Sequence, residues 1–237
     1  MGASKMKVKL LRYTADPELL CGAAALTSTR SGNPSEIFEG IDLEKARQTI
    51  RRVTGYGHMS VIEHASFTFS IEEVSRALTH QLVRHRIASY TQQSQRYVTY
   101  DTLKRYVTPP TIAQNPEAKK IFDETLESIS ASYKKLLDLG IPKEDARYIL
   151  PNAAKTNIVV TMNARELRHF FNLRCCARSQ WELREVATEM LRQVKRVAPT
   201  LFENAGPTCV ELGFCPEGKM KPPECNIEEI KKRFKSL

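Results

Sequence analysis

The apolar-periodic run from Ala118 to Leu139, closed by Gly140, constrains the fold most. At the α-helical rise it makes a rod about 33 Å long, and its apolar side must be covered by other elements. Further helical patterns supply that cover. They are Pro17 to Leu26, Asp42 to Val53 with Leu43, Ala46, Ile50 and Val53 on one face, Val74 to about Ala88 with Val74, Leu78 and Leu82 at i, i+4 and i+8, and Trp181 to about Phe202. Strand signals are few and short. Val8 to Tyr13 reads as a first strand, Ala65 to Ile71 alternates Phe67, Phe69 and Ile71 with Thr68 and Ser70, and Ile158 to Thr161 is mostly β-branched. Helices and strands do not alternate regularly. The expectation is an α+β chain, with long helices packed around a small, mostly antiparallel twisted sheet in a single domain.

Turn residues punctuate this pattern. Ser31-Gly32-Asn33-Pro34 reads as a loop, and Pro142 opens a short helix that Pro151 stops. Asn163 opens the next helix with Glu166 three residues on, a start resembling a capping box. Residues 204–223 are rich in Gly, Pro and Cys and are expected to wrap the surface. The 237 residues therefore read as one domain, with a core over about 6–203 and an extension over about 204–237. No stretch approaches the ~18 apolar residues of a membrane span, and no apolar segment of a secretory signal follows the start, so a cytoplasmic location is expected. The formal net charge of +9 calls for anionic partners. The basic residues are spread along the chain rather than gathered in a stripe, so nucleic acid is not the first expectation. Cys21, Cys175, Cys176, Cys209, Cys215 and Cys225 show no CxxC spacing, which points to ordinary thiols and no metal site.

Chemistry concentrates between Arg84 and Tyr97. Three arginines, a histidine, two serines and three glutamines fall within fourteen residues, without a lysine or an acid. Arginine grips phosphate bidentately, while hydroxyls and amides fix ribose and base edges. On one continuous helix Gln81, Arg84, His85 and Ala88 share a face, and Arg86 points about 200° away from Arg84. The two arginines then serve two partners, or the helix ends between them. Residues alone leave Gln92, Gln93, Ser94, Gln95 and Arg96 open to the reading of an exposed polar loop. Two further clusters stand out: Gly57-His58-Met59-Ser60 with Glu63-His64, and the run from Asn163 to Arg174. In the latter, Leu167, Phe170, Phe171 and Arg174 share a helical face, so a cation points the same way as two phenylalanines. A snorkelling arginine would satisfy that pattern too.

Taken together, Arg84-His85-Arg86 followed by seven residues and Ser94 resembles the signature of the flavin-dependent thymidylate synthases. The blocks at 57–64, 145–151 and 163–174 agree with that family in order and spacing. The resemblance implies conversion of dUMP to dTMP, with FAD as cofactor and with 5,10-methylenetetrahydrofolate and NAD(P)H as co-substrates. It also implies a homotetramer with active sites at subunit interfaces and no catalytic cysteine. Carried over residue by residue, it assigns His58, Ser60, Arg84, His85, Arg86, Gln92, Asn163, Arg165 and His169 to FAD. Gln81, Arg84, Gln92, Gln93, Ser94, Gln95, Arg96, Arg147 and Arg174 go to dUMP, with Arg174 polarising the uracil as the catalytic group. Glu63 and His64 are expected to brace their loop. A basic helical nucleic-acid-binding protein is the alternative class, and a thiol-based metal or redox protein a third.

Overall fold

The long rod is present as one of eleven helices and four strands among residues 6–98 and 105–237, the residues described by this computed structural model. In chain order these are β1 (Lys7–Tyr13), α1 (Pro17–Thr27), α2 (Pro34–Gly40), α3 (Leu43–Gly55), β2 (Ser66–Ser75), α4 (Arg76–Leu82) and β3 (Ala88–Gln92). There follow α5 (Pro110–Ala113), α6 (Pro116–Asp138), α7 (Lys143–Ala146), β4 (Lys155–Asn163), α8 (Ala164–Arg174), α9 (Trp181–Val197), α10 (Thr208–Leu212) and α11 (Ile227–Lys235). Asn115 starts α6 by accepting from the N–H groups of Glu117 and Ala118, and Gly140 ends it at a φ of 80°, open to residues without a Cβ. The four strands form one antiparallel sheet in the order β1-β2-β4-β3. The expected α+β class is the one observed. No described helix is long and apolar enough to cross a membrane.

Several boundaries differ from the expectation, each for a physical reason. Val74 belongs to β2, not to a helix, and α4 is only seven residues long. Val74, Leu78 and Leu82 fit a helical period, but Ser75 interrupts it: its hydroxyl accepts the Leu78 N–H at 3.0 Å and caps a new helix. The chain then returns as β3, a polar strand with no buried position and hence no apolar alternation to announce it. Pro34 opens a helix rather than a loop, because Asn33 and Glu36 close a capping box. The helix from Trp181 ends at Val197, not near Phe202.

Two compact units can be described. Of the described residues, one comprises 6–7, 71–83, 91–98 and 105–158, and the other Val8–Ser70, Arg84–Tyr90 and Val159–Leu237. In the first, Tyr133 of α6, Ala146 and Ala154 are buried, with Tyr106, Leu136, Leu137, Ile149 and Leu150 packed on them. In the second, an aromatic core runs from Phe67 through Phe202 and Phe171 to Phe170, with rings edge-on at 5.4, 6.0 and 5.7 Å. Helices α1 and α3 of this unit meet at Gly22, where an added Cβ would lie 2.5 Å from that of Ala46. Helix α11 lies in the second unit and buries Phe234, whose ring a Cβ on Gly206 would approach to 3.1 Å.

Candidate active site

In the second unit, an open cleft of ≈ 530 Å³ is lined by Arg84, His85, Arg86, Asn163, Arg165 and His169, among others. Its position follows from two local events. Helix α4 stops at Leu82, so residues 84–87 leave the helical path and present Arg84 and Arg86 to solvent while His85 turns inward. The helix therefore ends before both arginines, and neither shares a helical face with Gln81. Asn163 begins α8 by accepting the Glu166 N–H at 2.9 Å, which sets Asn163 and Arg165 at the N-terminal end of an eleven-residue helix and His169 at its middle. Arg165 is held by Glu63 at 2.6 Å, both exposed, so Glu63 restrains a cleft arginine. Three guanidiniums beside a helix N-terminus suit a ligand with several phosphates.

The floor of this cleft is His85, whose side chain is only 2% exposed. Its ring packs edge-on against Phe170 at 4.9 Å and His169 at 5.6 Å. The Tyr90 hydroxyl donates to the His85 carbonyl at 2.8 Å. Arg174 Nε donates to His85 Nε2 at 3.0 Å, and His85 Nδ1 lies 3.3 Å from Glu166 Oε1. Burial first, then the Arg174 and His169 charges, push the imidazole pKa down to about 4, so it is neutral at neutral pH. Burial likewise raises the Glu166 carboxyl and lowers the Arg174 guanidinium. Arg174 itself is half-buried and lines a second cleft of ≈ 300 Å³ together with Asn172 and Leu173.

The other unit gathers a second set of the expected residues. Arg96 meets the Glu144 carboxylate through Nε and Nη2, each at 2.9 Å, and Arg147 Nε donates to the Glu144 carbonyl at 3.0 Å. Ser94 Oγ accepts the Arg96 N–H at 3.1 Å. Gln92 donates to Thr156 at 3.2 Å and Thr79 at 3.4 Å, while Gln93 accepts from Asn157 at 3.1 Å. Asn157 also takes the N–H of Glu73, a non-glycine residue at φ 61° whose carboxylate is paired with the buried Lys155 at 3.1 Å. A left-handed acidic residue inside a strand is a local strain held by its surroundings. Gln81 is exposed near the end of α4, and Gln95 is half-buried.

Not every expected residue joins a cluster. His58 and Ser60 are exposed at the short 3₁₀ turn Met59–Ile62 and do not line the 530 Å³ cleft, and neither does Gln92. Sequence reasoning missed Glu166, Tyr90 and Glu144 as partners. Glu166 drew notice only as a capping residue, and its side chain turns to His85 instead of back to the helix start. All six cysteines are free thiols, and burial pushes Cys175 up to about 12, so it is no thiolate at neutral pH.

A cationic cleft over a neutral, buried histidine, on an α+β scaffold, has the donor set of a protein that binds phosphorylated ligands. Comparison with known proteins narrows the class. The family described as "Thymidylate synthase complementing protein" matches residues 9–200. A flavin-dependent thymidylate synthase of Geobacter sulfurreducens is 49% identical over 234 residues, covering 98% of this chain and 99% of the relative. One of Pyrococcus horikoshii is 47% identical, covering 98% of each. A crystal structure of the flavin-dependent thymidylate synthase of Helicobacter pylori, complexed with FAD and dUMP, superposes with a TM-score of 0.70 at 25% identity, covering 84% of this chain and 99% of that one. The chain belongs to the flavin-dependent thymidylate synthase family, and it is a thymidylate synthase enzyme.

Proposed function

We propose that this enzyme converts dUMP to dTMP, with 5,10-methylenetetrahydrofolate as one-carbon donor and NAD(P)H as reductant acting through FAD. The observation that carries the reading is the convergence of Arg84, Arg86 and Arg165 with Asn163 and His169 around one cleft. That donor set fits FAD, whose pyrophosphate asks for guanidiniums and a helix N-terminus. When bound there, FAD supplies the hydride chemistry. Arg84, His85, Arg86, Asn163, Arg165 and His169 would hold it, with His58, Ser60 and Gln92 as further contacts.

On the nucleotide side, Arg96 and Arg147 would take the dUMP phosphate, with Ser94, Gln93, Gln95, Gln92, Gln81 and Arg84 ordering ribose and base. The pairing of Arg96 with an exposed carboxylate is weak in water, so a phosphate can replace it at little cost. Arg174 would withdraw charge from the uracil, which makes its C5–C6 bond reactive without a cysteine nucleophile. We further propose a cytoplasmic homotetramer whose active sites lie at subunit interfaces. Exposed apolar side chains such as Tyr56, Tyr148 and Ile87 supply surface for association. The nucleic-acid alternative is weakened by the internal pairing of Arg47, Arg51, Arg96, Arg105, Arg165 and Arg168 with acids.

The test is purification followed by a visible spectrum and an assay of dTMP formation with NAD(P)H and methylenetetrahydrofolate. A bound flavin band and dTMP in the presence of all three substrates are expected. A colourless protein that neither takes up FAD nor forms dTMP would overturn the reading.

A further inference from the structure

We infer that Glu166 and His85 form a positioning relay that holds the Arg174 guanidinium, with His85 locked as the tautomer carrying its proton on Nδ1. The inference rests on the reading of Arg174 as the uracil-polarising group.

The geometry leaves one arrangement. A guanidinium has donors and no acceptor. The Arg174 Nε–H that points at His85 Nε2 across 3.0 Å therefore requires a lone pair on that nitrogen. A neutral imidazole with a bare Nε2 must carry its proton on Nδ1. That nitrogen faces Glu166 Oε1 at 3.3 Å, which accepts in either protonation state. Glu166 is available because Asn163 performs the helix capping alone.

The ring cannot swing away. Phe170 and His169 flank it, and Tyr90 pins its carbonyl. Protonation of His85 would set an N–H against the Arg174 N–H. Burial first, then the Arg174 and His169 charges, keep the ring neutral down to about pH 4, and Glu166 and Tyr90 are the other titratable groups that face it.

The relay also has a direction. Glu166 and His85 line the cleft assigned to FAD, whereas Arg174 lines the second cleft, with Asn172 and Leu173. The Nε of Arg174 is thus anchored from the cofactor side, and neither His85 nor Glu166 needs to touch uracil. Loss of the Nε2 acceptor removes one fixed anchor of the guanidinium, and misplacement by about 1 Å costs on the order of 10²-fold in rate.

The experiment uses the full-length holoenzyme. Glu166→Ala should lower kcat for dTMP by ~10- to 100-fold at unchanged flavin content, with the KM for dUMP changed by less than about threefold. Glu166→Gln offers the same acceptor and should restore kcat to within about threefold. Long-range ¹⁵N spectra of histidine-labelled wild-type enzyme should show His85 protonated at Nδ1. Wild-type kcat in Glu166→Ala, failure of Glu166→Gln to rescue, or a His85 proton on Nε2 would each overturn the relay. If Glu166→Ala does not fold, the Glu166→Gln rate and the wild-type tautomer decide. A wild-type enzyme that lacks flavin and makes no dTMP would instead overturn the proposed function, whatever the tautomer.

Discussion

Arg174 and Arg96 are both arginines proposed to meet dUMP, and the protein holds them in opposite ways. Arg96 is half exposed and paired with an equally exposed carboxylate of Glu144. Such a pair contributes about 0–1 kcal/mol and is screened by salt, so its partner is replaceable. Arg174 is half-buried and donates to a neutral imidazole that is itself buried and bonded on its far side. The acceptor of its Nε–H is thus an uncharged ring and not a carboxylate. The difference separates capture from catalysis. A phosphate-binding arginine needs a weak resident partner, and a polarising arginine needs a fixed but uncharged one.

The sharpest way to break this contrast is to remove the polarising group. Arg174→Ala should abolish dTMP formation, a loss of at least ~10²–10³-fold, while flavin absorbance per subunit stays at the wild-type level. Normal turnover would remove Arg174 from the mechanism. Next in size, Arg84→Ala and Arg86→Ala should lose FAD on purification, since both guanidiniums line the same cleft. Full flavin content in either variant would detach that arginine from the cofactor. On the capture side, Arg96→Lys and Arg147→Lys keep the charge but lose the fork geometry. The KM for dUMP should rise about tenfold, the lower end of what a charge-assisted bond supplies. Unchanged dUMP titrations would show that Glu144, not phosphate, is their working partner.

A pH series sharpens the contrast through stability. Unfolded, His85 binds a proton near pH 6.5, but folded only near pH 4. Between those values the unfolded chain holds more protons, so stability is full above pH 6.5 and declines as pH falls toward 4. Thermal melts of wild type and His85→Gln should diverge across that window, with the variant showing the shallower pH dependence. Parallel curves would place the acid sensitivity elsewhere. The smallest effect is expected from the Cys175→Ala, Cys176→Ala double variant, which should keep flavin and most dTMP synthesis. A covalent dUMP adduct on either sulfur of the wild-type enzyme would replace positioning with thiol chemistry.

Much of this molecule was legible from local pattern, because local chemistry sets it. The rod of α6 ended at Gly140, and α8 opened at Asn163, since a cap needs only a few neighbouring residues. The arginine-rich blocks at 84–96 and 163–174 stood out by residue type, independent of fold, and they supply the guanidiniums of the proposed sites. Tertiary structure decided the rest. Val74 satisfied a helical period yet completes a strand, and β3 has no buried face to reveal it, so the helical wheel that separated Arg84 from Arg86 did not apply. His85 looked like one more polar residue beside two arginines. Only packing against Phe170, eighty-five positions later, buries it and makes it neutral. The side chain of Glu166 could serve the helix cap or a distant ring, and the sequence holds both options. Hydrogen bonds between residues 81 and 89 positions apart chose the ring, because a buried donor must find an acceptor wherever the fold brings one.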